Sequence, residues 1–136
     1  IIGVKDATGD LKRVDEQLNK MGKEFVQLTG EDNNALEFNK RGGVGCISVT
    51  ANIAASLCSK FQNFSQDKNL INKAEEINIM LTPLHKALFI ESNPSPVKYA
   101  ASLLKLALPD VRLPLVEIKD DTKREVEKAL KAAKLL

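Results

Sequence analysis

Aromatic residues are scarce in this 136-residue chain: five Phe, one Tyr and no Trp. So few rings cannot build a stacking platform for single-stranded nucleic acid. Charge is as sparing. Lys and Arg total 20 against 18 Asp and Glu, and a formal net charge of +2 gives no basic face of the kind that grips phosphate backbones. Nucleic acid is therefore not an expected partner. No apolar run reaches the roughly 18 residues that a membrane-spanning helix needs, so no membrane segment is expected either. Cys46 and Cys58 are too few and too poorly spaced for a disulfide framework or a zinc site, and a reducing cytoplasm is the expected location. His85 is the single histidine, and without a partner it is expected to be structural rather than catalytic.

What is present is globular in character, with 43% hydrophobic and 28% charged residues. The first part alternates apolar runs with amphipathic stretches. Strands are expected over Ile1–Val4, Phe25–Leu28 and Val44–Val49. Between the first two, Leu11, Val14, Leu18 and Met21 mark a helix stripe, with Asp10 as N-cap and Gly22 as stop. A short helix through Ala35, Leu36 and Phe38 should halt at Gly42-Gly43, and another should carry Ile53, Leu57, Phe61 and Phe64 on one side. Strands separated by helices are the pattern of parallel βαβ units, at spacings that suit a (β/α) barrel.

From about Asp67 onward the strands stop. Leu70, Ala74, Ile77, Leu81, Leu84 and Leu88 recur at steps of four and three, which predicts a long helix bent or split by Pro83. Asn93-Pro94 is an N-cap and first-turn pair for a helix through Val97, Ala100, Ala101 and Leu104, ended by Pro109. An extended Arg112-Leu113-Pro114 segment leads to a last helix from about Asp121. The expected division is thus residues 1–67, three strand–helix units, and residues 68–136, a helical domain. Three strands cannot close a barrel that needs eight and typically about 250 residues. Since the chain also opens inside a strand, the expectation is that some five units, an N-terminal barrel segment, are missing from it.

Lys5 follows the first apolar run, at the carboxyl end of a strand expected to be buried. Sites in α/β folds gather at that end. An amine there can attack a carbonyl to form an imine, and burial would favour its nucleophilic neutral form. Position alone favours a plainer role, a solvated lysine snorkelling at the sheet edge. Gly30 ends the middle strand, either for close backbone approach to a site or as a simple turn glycine. Asp6, Asp10, Glu31 and Asp32 suggest a metal cluster, but acids at strand and helix ends more often cap N–H groups. Gly42-Gly43-Val44-Gly45 precedes a strand and lacks phosphate-loop spacing, so it reads as a tight helix-to-strand turn. Cys58 is expected to be packed rather than reactive.

IIGVKDATGD, with Lys5 at its centre, resembles the sixth-strand signature of the dihydrodipicolinate synthase family, pyruvate-dependent class I lyases with a (β/α)8 barrel. LTGEDNNALEF from Leu28, GGVGCISVTAN from Gly42, PLHKALFIESNPSPVKYA from Pro83 and RLPL from Arg112 follow in the family's order. The resemblance covers nearly the whole chain. It implies an α/β fold made of strands six to eight of a TIM barrel followed by an α-helical C-terminal domain. It implies that Lys5 forms an imine with pyruvate, and that the enamine then attacks L-aspartate 4-semialdehyde, on the route to diaminopimelate and lysine. Ile47 matches the position that contacts bound pyruvate, and Gly30 is the further candidate for substrate binding. No metal or organic cofactor is implied, because the lysine itself is the electron sink. A homotetramer is implied for the complete protein. The family's proton-relay tyrosine and carboxylate-holding threonines come from earlier strands, and Tyr99 is no substitute for them. Two alternatives stand beside this: a non-catalytic half-barrel remnant or assembly module, and another pyruvate lyase such as N-acetylneuraminate lyase.

Overall fold

A computed structural model describes residues 1–136. Three short strands and six helices alternate as β1 (Gly3–Asp6), α1 (Lys12–Met21), β2 (Val26–Thr29), α2 (Ala35–Lys40), β3 (Gly45–Cys46), α3 (Ala55–Ser65), α4 (Ile71–Ala87), α5 (Ser95–Leu103) and α6 (Asp120–Ala132). Single 3-10 turns at Asp32–Asn34 and Thr50–Asn52 precede α2 and α3. The fold is α/β, with one parallel sheet in the order β1-β2-β3. By compactness the chain divides into Ile1–Ser48 with Ser59–Asn78, and Val49–Cys58 with Ile79–Leu136, one boundary falling before the Thr50–Asn52 turn and the other two inside α3 and α4.

In the first unit, one lateral row of the sheet joins Lys5, Leu28 and Gly45, and the next joins Asp6, Thr29 and Cys46. Side chains alternate along a strand, so these rows face opposite ways. Asp6, Gln27 and Thr29, on one face, are buried, while Lys5 and Val26, on the other, are exposed. The expectation of a buried first strand therefore holds for one face only. Each strand also differs from its expected span. β1 and β2 sit later, so Lys5 lies inside its strand rather than beyond it. β3 is two residues rather than six, because Val49 already adopts helical angles (φ −74°, ψ −42°) and opens the turn to α3. The ladder itself reaches further, since the Val44 and Ile47 N–H groups donate to the Gln27 and Thr29 carbonyls at 2.9 and 2.8 Å.

The helix-to-strand turn before β3 depends on paired glycines. Gly42 has φ +107°, outside the range L side chains favour. A Cβ at Gly43 would stand 2.1 Å from Cδ1 of the buried Phe38 ring. α1 begins with the Asp10 carboxylate accepting from the Lys12 N–H at 3.0 Å and ends at Gly22, at φ +84°. It buries Val14, but Met21 remains exposed. α3 buries Cys58, Phe61 and Ser65, so its inner face is turned from the expected line through Leu57 and Phe64. Ser65 is drawn in by the Asn39 amide, which donates to its Oγ at 2.7 Å and to Gln62 Oε1 at 2.8 Å.

The acids at the strand and helix ends divide by role. Asp10 and Glu31 accept from backbone N–H groups of the turns they open, as capping predicts. Asp6 does something else. Its carboxylate accepts from the Thr8 N–H (2.9 Å) and hydroxyl (2.6 Å), from Arg13 Nε (2.6 Å) and from Gln17 Nε2 (3.3 Å), tying the end of β1 to α1. Burial pushes this carboxyl up. The Thr8 hydrogen bonds and the hydrogen bond and charge of Arg13 outweigh it, and the group is held at about 2.

α4 runs on through Pro83, so the proline does not split it. Proline removes the N–H that would meet the Ile79 carbonyl, and both residues are exposed, so solvent can meet that carbonyl instead. Leu81, Leu84, Ala87 and Leu88 form the inner face. α5 starts at Ser95, with Pro94 as its N-cap residue and Pro96 in the first turn, one residue later than the Asn93-Pro94 pairing predicts. It stops at Leu103, well before Pro109. The Leu106 N–H bonds the Ala101 carbonyl and Lys105 the Ser102 carbonyl, around a left-handed Lys105 (φ +59°). Lys134, at φ +56°, ends α6 the same way.

Two outcomes follow. Gly43→Ala forces the Phe38 ring or the turn to move and should destabilise the chain by about 1–3 kcal/mol in urea unfolding. Asp6 is depressed in the folded state, so its contribution is complete above the unfolded value of about 4 and is lost as pH falls toward 2. Unfolding midpoints measured across that window should fall less in Asp6→Asn than in the unaltered chain.

Candidate active site at the strand ends

The carboxyl ends of β1, β2 and β3 present Lys5, Gly30 and Ile47 from neighbouring strands. Gly30 closes the β1–β2 ladder, donating its N–H to the Asp6 carbonyl at 2.8 Å. A Cβ built on Gly30 would lie 2.7 Å from Lys5 Cε and 2.9 Å from Ala7 Cβ. The lysine stem thus occupies the space that any other residue at position 30 would fill. Of the two roles left open for Gly30, close approach is the one the geometry displays, and what approaches is Lys5. Ile47 lies one residue past β3, two beyond Gly45, and alternation returns it to the face of Lys5. Its side chain is half exposed.

Lys5 itself is exposed. Burial of this lysine, expected from the sequence, is therefore not what the structure shows. No group of three or more His, Cys, Asp or Glu side chains is arranged to hold a metal ion. No helix is long and apolar enough to cross a membrane.

Behind the strand ends lies a polar scaffold that the sequence did not single out. Thr29 Oγ1 accepts from the Glu31 N–H at 3.0 Å and donates to Asn34 Oδ1 at 2.9 Å, fixing the loop after β2. The buried Asp32 accepts from the Ser48 hydroxyl, and Cys46 Sγ lies 3.9 Å from the same oxygen. Asp32 therefore ties that loop to the end of β3. Thr29-x-Glu31 is a short-range turn signal, legible in principle. The pairing of Asp32 with Ser48, sixteen residues on, is not.

The remaining candidates belong to the helical unit. His85 is buried, its Nδ1 2.7 Å from Thr50 Oγ1. Tyr99 donates its hydroxyl to Glu127 Oε1 at 2.7 Å, with the Lys123 ammonium 5.9 Å from the ring centre. Burial, then the hydrogen bond to the Glu127 carboxylate, push the phenol up to about 12. This hydrogen bond joins α5 to α6. Cys58 is packed, as expected.

Comparison with known proteins meets this geometry from the other side. Residues 1–133 match the dihydrodipicolinate synthetase family. The 4-hydroxy-tetrahydrodipicolinate synthase of Pelagibacter ubique is 62% identical over 138 aligned residues, covering all of this chain and 47% of the relative. That of Parvibaculum lavamentivorans is 54% identical over 136 residues, covering 100% of the chain and 46% of the relative. Among solved structures, chloride-inhibited dihydrodipicolinate synthase from Acinetobacter baumannii, complexed with pyruvate, superposes with a TM-score of 0.92 at 35% identity, over 100% of this chain and 46% of that one. The enzyme of Methylacidiphilum fumariolicum SolV gives 0.94 at 30% identity, over 98% and 44%. The chain spans just under half the length of these relatives. With its parallel strands presenting Lys5, Gly30 and Ile47 from one end of the sheet, it belongs to the dihydrodipicolinate synthetase family.

Proposed function

We propose that this chain is the second half of a 4-hydroxy-tetrahydrodipicolinate synthase, with Lys5 as the Schiff-base nucleophile. On this reading β1, β2 and β3 are strands six to eight of a (β/α)8 barrel. Residues 1–67 are its last three strand–helix units, and residues 68–136 are the helical C-terminal domain. The observation that carries the proposal is Lys5 lying against Gly30 on the sheet face that the chain leaves uncovered. In a closed barrel that face is the interior.

The chemistry assigned to Lys5 is conventional for an amine at a carbonyl. Neutral Nζ attacks C2 of pyruvate, and loss of water leaves a protonated imine. That cation draws electrons from C3, which loses a proton to give an enamine. The enamine carbon then bonds to the aldehyde carbon of L-aspartate 4-semialdehyde, whose oxygen takes up a proton. Carbon–carbon bond formation leaves the protonated imine again; the amino group of the condensed semialdehyde attacks its carbon, closes the ring and expels Nζ as the free amine, giving 4-hydroxy-tetrahydrodipicolinate. Ile47 supplies apolar contact to pyruvate, and Gly30 leaves room for the lysine stem and the substrate beside it. Proton transfer falls to side chains from the N-terminal segment, so the chain is inactive until that segment closes the barrel. The complete protein is proposed to be a cytoplasmic homotetramer, with no metal or organic cofactor. The relatives above carry the synthase name, which favours this substrate pair over that of N-acetylneuraminate lyase.

Borohydride reduction in the presence of pyruvate, followed by peptide mapping, tests the proposal. It should be run on the chain alone and on the chain preceded by the N-terminal half of the Pelagibacter relative. A reduced pyruvyl adduct should form at Lys5 in the completed barrel and be at least about tenfold slower in the chain alone. Lys5→Arg should abolish it. Gly30→Ala, which pushes a methyl into the lysine stem, should slow it by about tenfold or more. An adduct spread over several lysines, or none in the completed barrel, contradicts the assignment and favours a half-barrel that serves only in assembly.

A further inference from the structure

We infer that Asp6 is a positioning residue for Lys5: its carboxylate, locked onto α1 by Arg13 and Gln17, sets the backbone from which the lysine projects. The inference rests on the Schiff-base role proposed for Lys5. The two residues are consecutive in β1 and face opposite ways, Lys5 exposed and Asp6 buried. Asp6 is held twice. Its carbonyl takes the Gly30 N–H at 2.8 Å, which fixes β1 against β2. Its carboxylate takes four donors, two from Thr8 and one each from Arg13 and Gln17.

The choice of donors gives the arrangement its meaning. An Asx turn onto Thr8 alone would shape the loop after β1, and a solvated aspartate could provide that. Arg13 and Gln17 instead lie one helical turn apart on α1, so the carboxylate is bolted to a rigid element. Burying a carboxylate under a helix is unfavourable unless each oxygen is satisfied, and an apolar residue would hold α1 to the sheet at less expense. What an apolar residue would lack is direction. The ion pair restricts the rotation of the strand end about its own axis, and with it the direction of the next side chain back, Lys5. Gly30 limits that side chain on one flank. Rigid support from neighbours that never meet the substrate is what a reacting group needs, since a displacement of about 1 Å can lose roughly 100-fold in rate.

Arg13→Gln, Arg13→Lys and Asp6→Asn in the complete protein test this, at a temperature where circular dichroism finds each variant fully folded. The rate of borohydride-trapped adduct at Lys5, kcat and KM for pyruvate are read per folded molecule. Arg13→Gln should lower the trapping rate and kcat by about tenfold with KM within about twofold, and Arg13→Lys should recover most of that loss. Asp6→Asn should cost more, about 10- to 100-fold. A lower melting temperature with unchanged kcat and trapping in Arg13→Gln would overturn the inference and leave Asp6 a purely structural acid. Should Asp6→Asn fail to fold, Arg13→Gln decides alone, because its side chain is 46% exposed and its loss is tolerable. No adduct in the unaltered complete protein would overturn the Schiff-base role and this inference together, whereas normal trapping in both proteins overturns only the positioning.

Discussion

Lateral hydrogen bonding of three parallel strands in a single register is the constraint on which the molecule depends. Once Lys5, Leu28 and Gly45 share a row, the period of two assigns every neighbouring side chain to one face or the other. The covered face receives Asp6, Gln27 and Thr29, where the Asp6 carboxylate, the Gln27 Nε2 and the Thr29 hydroxyl pair with the loops and α1 while Gln27 Oε1 is left without a partner. The other face carries the exposed Lys5, Val26 and Ile47 beside the half-buried Leu28. Parallel sheets are stable when both faces are covered. In this sheet β1 and β3 are the edge strands.

That division also explains why Lys5 looks ordinary by itself. Its side chain stands exposed on the open sheet face. The features that distinguish it are indirect: a glycine that makes room for its stem, an isoleucine returned to the same face by alternation, and a following aspartate fixed from behind. In the proposed function, each prepares a direction and a space for the amine, and activation falls to the segment that completes the barrel.

Much of this was legible in the sequence where the signal was local. Alternating apolar runs and amphipathic stretches gave the βα order, Asp10 and Gly22 bracketed α1, and Gly42-Gly43 marked the turn before β3. The failures have physical causes. Val44 to Val49 reads as an unbroken apolar-rich strand, but backbone torsion at Val49 ends it, and apolarity does not report torsion. The inner face of α3 rotated because Asn39, remote in sequence, draws Ser65 inward. α5 ended early on Lys105 and α6 on Lys134, left-handed positions where glycine is the usual signal. At the site, Lys5 and Ile47 were accessible through the family's motifs, whereas Asp6 with Arg13 and Asp32 with Ser48 are tertiary pairings that no periodicity announces.

The central claim is that covering the bare face turns Lys5 into a carbonyl nucleophile. A crystal structure of the complete protein, soaked with pyruvate, tests it most directly. Continuous density from Lys5 Nζ to C2 of pyruvate is the predicted result, with Ile47 against the ligand and Gly30 against the lysine stem. Pyruvate bound without a covalent link to Lys5, or linked to another lysine, would contradict it.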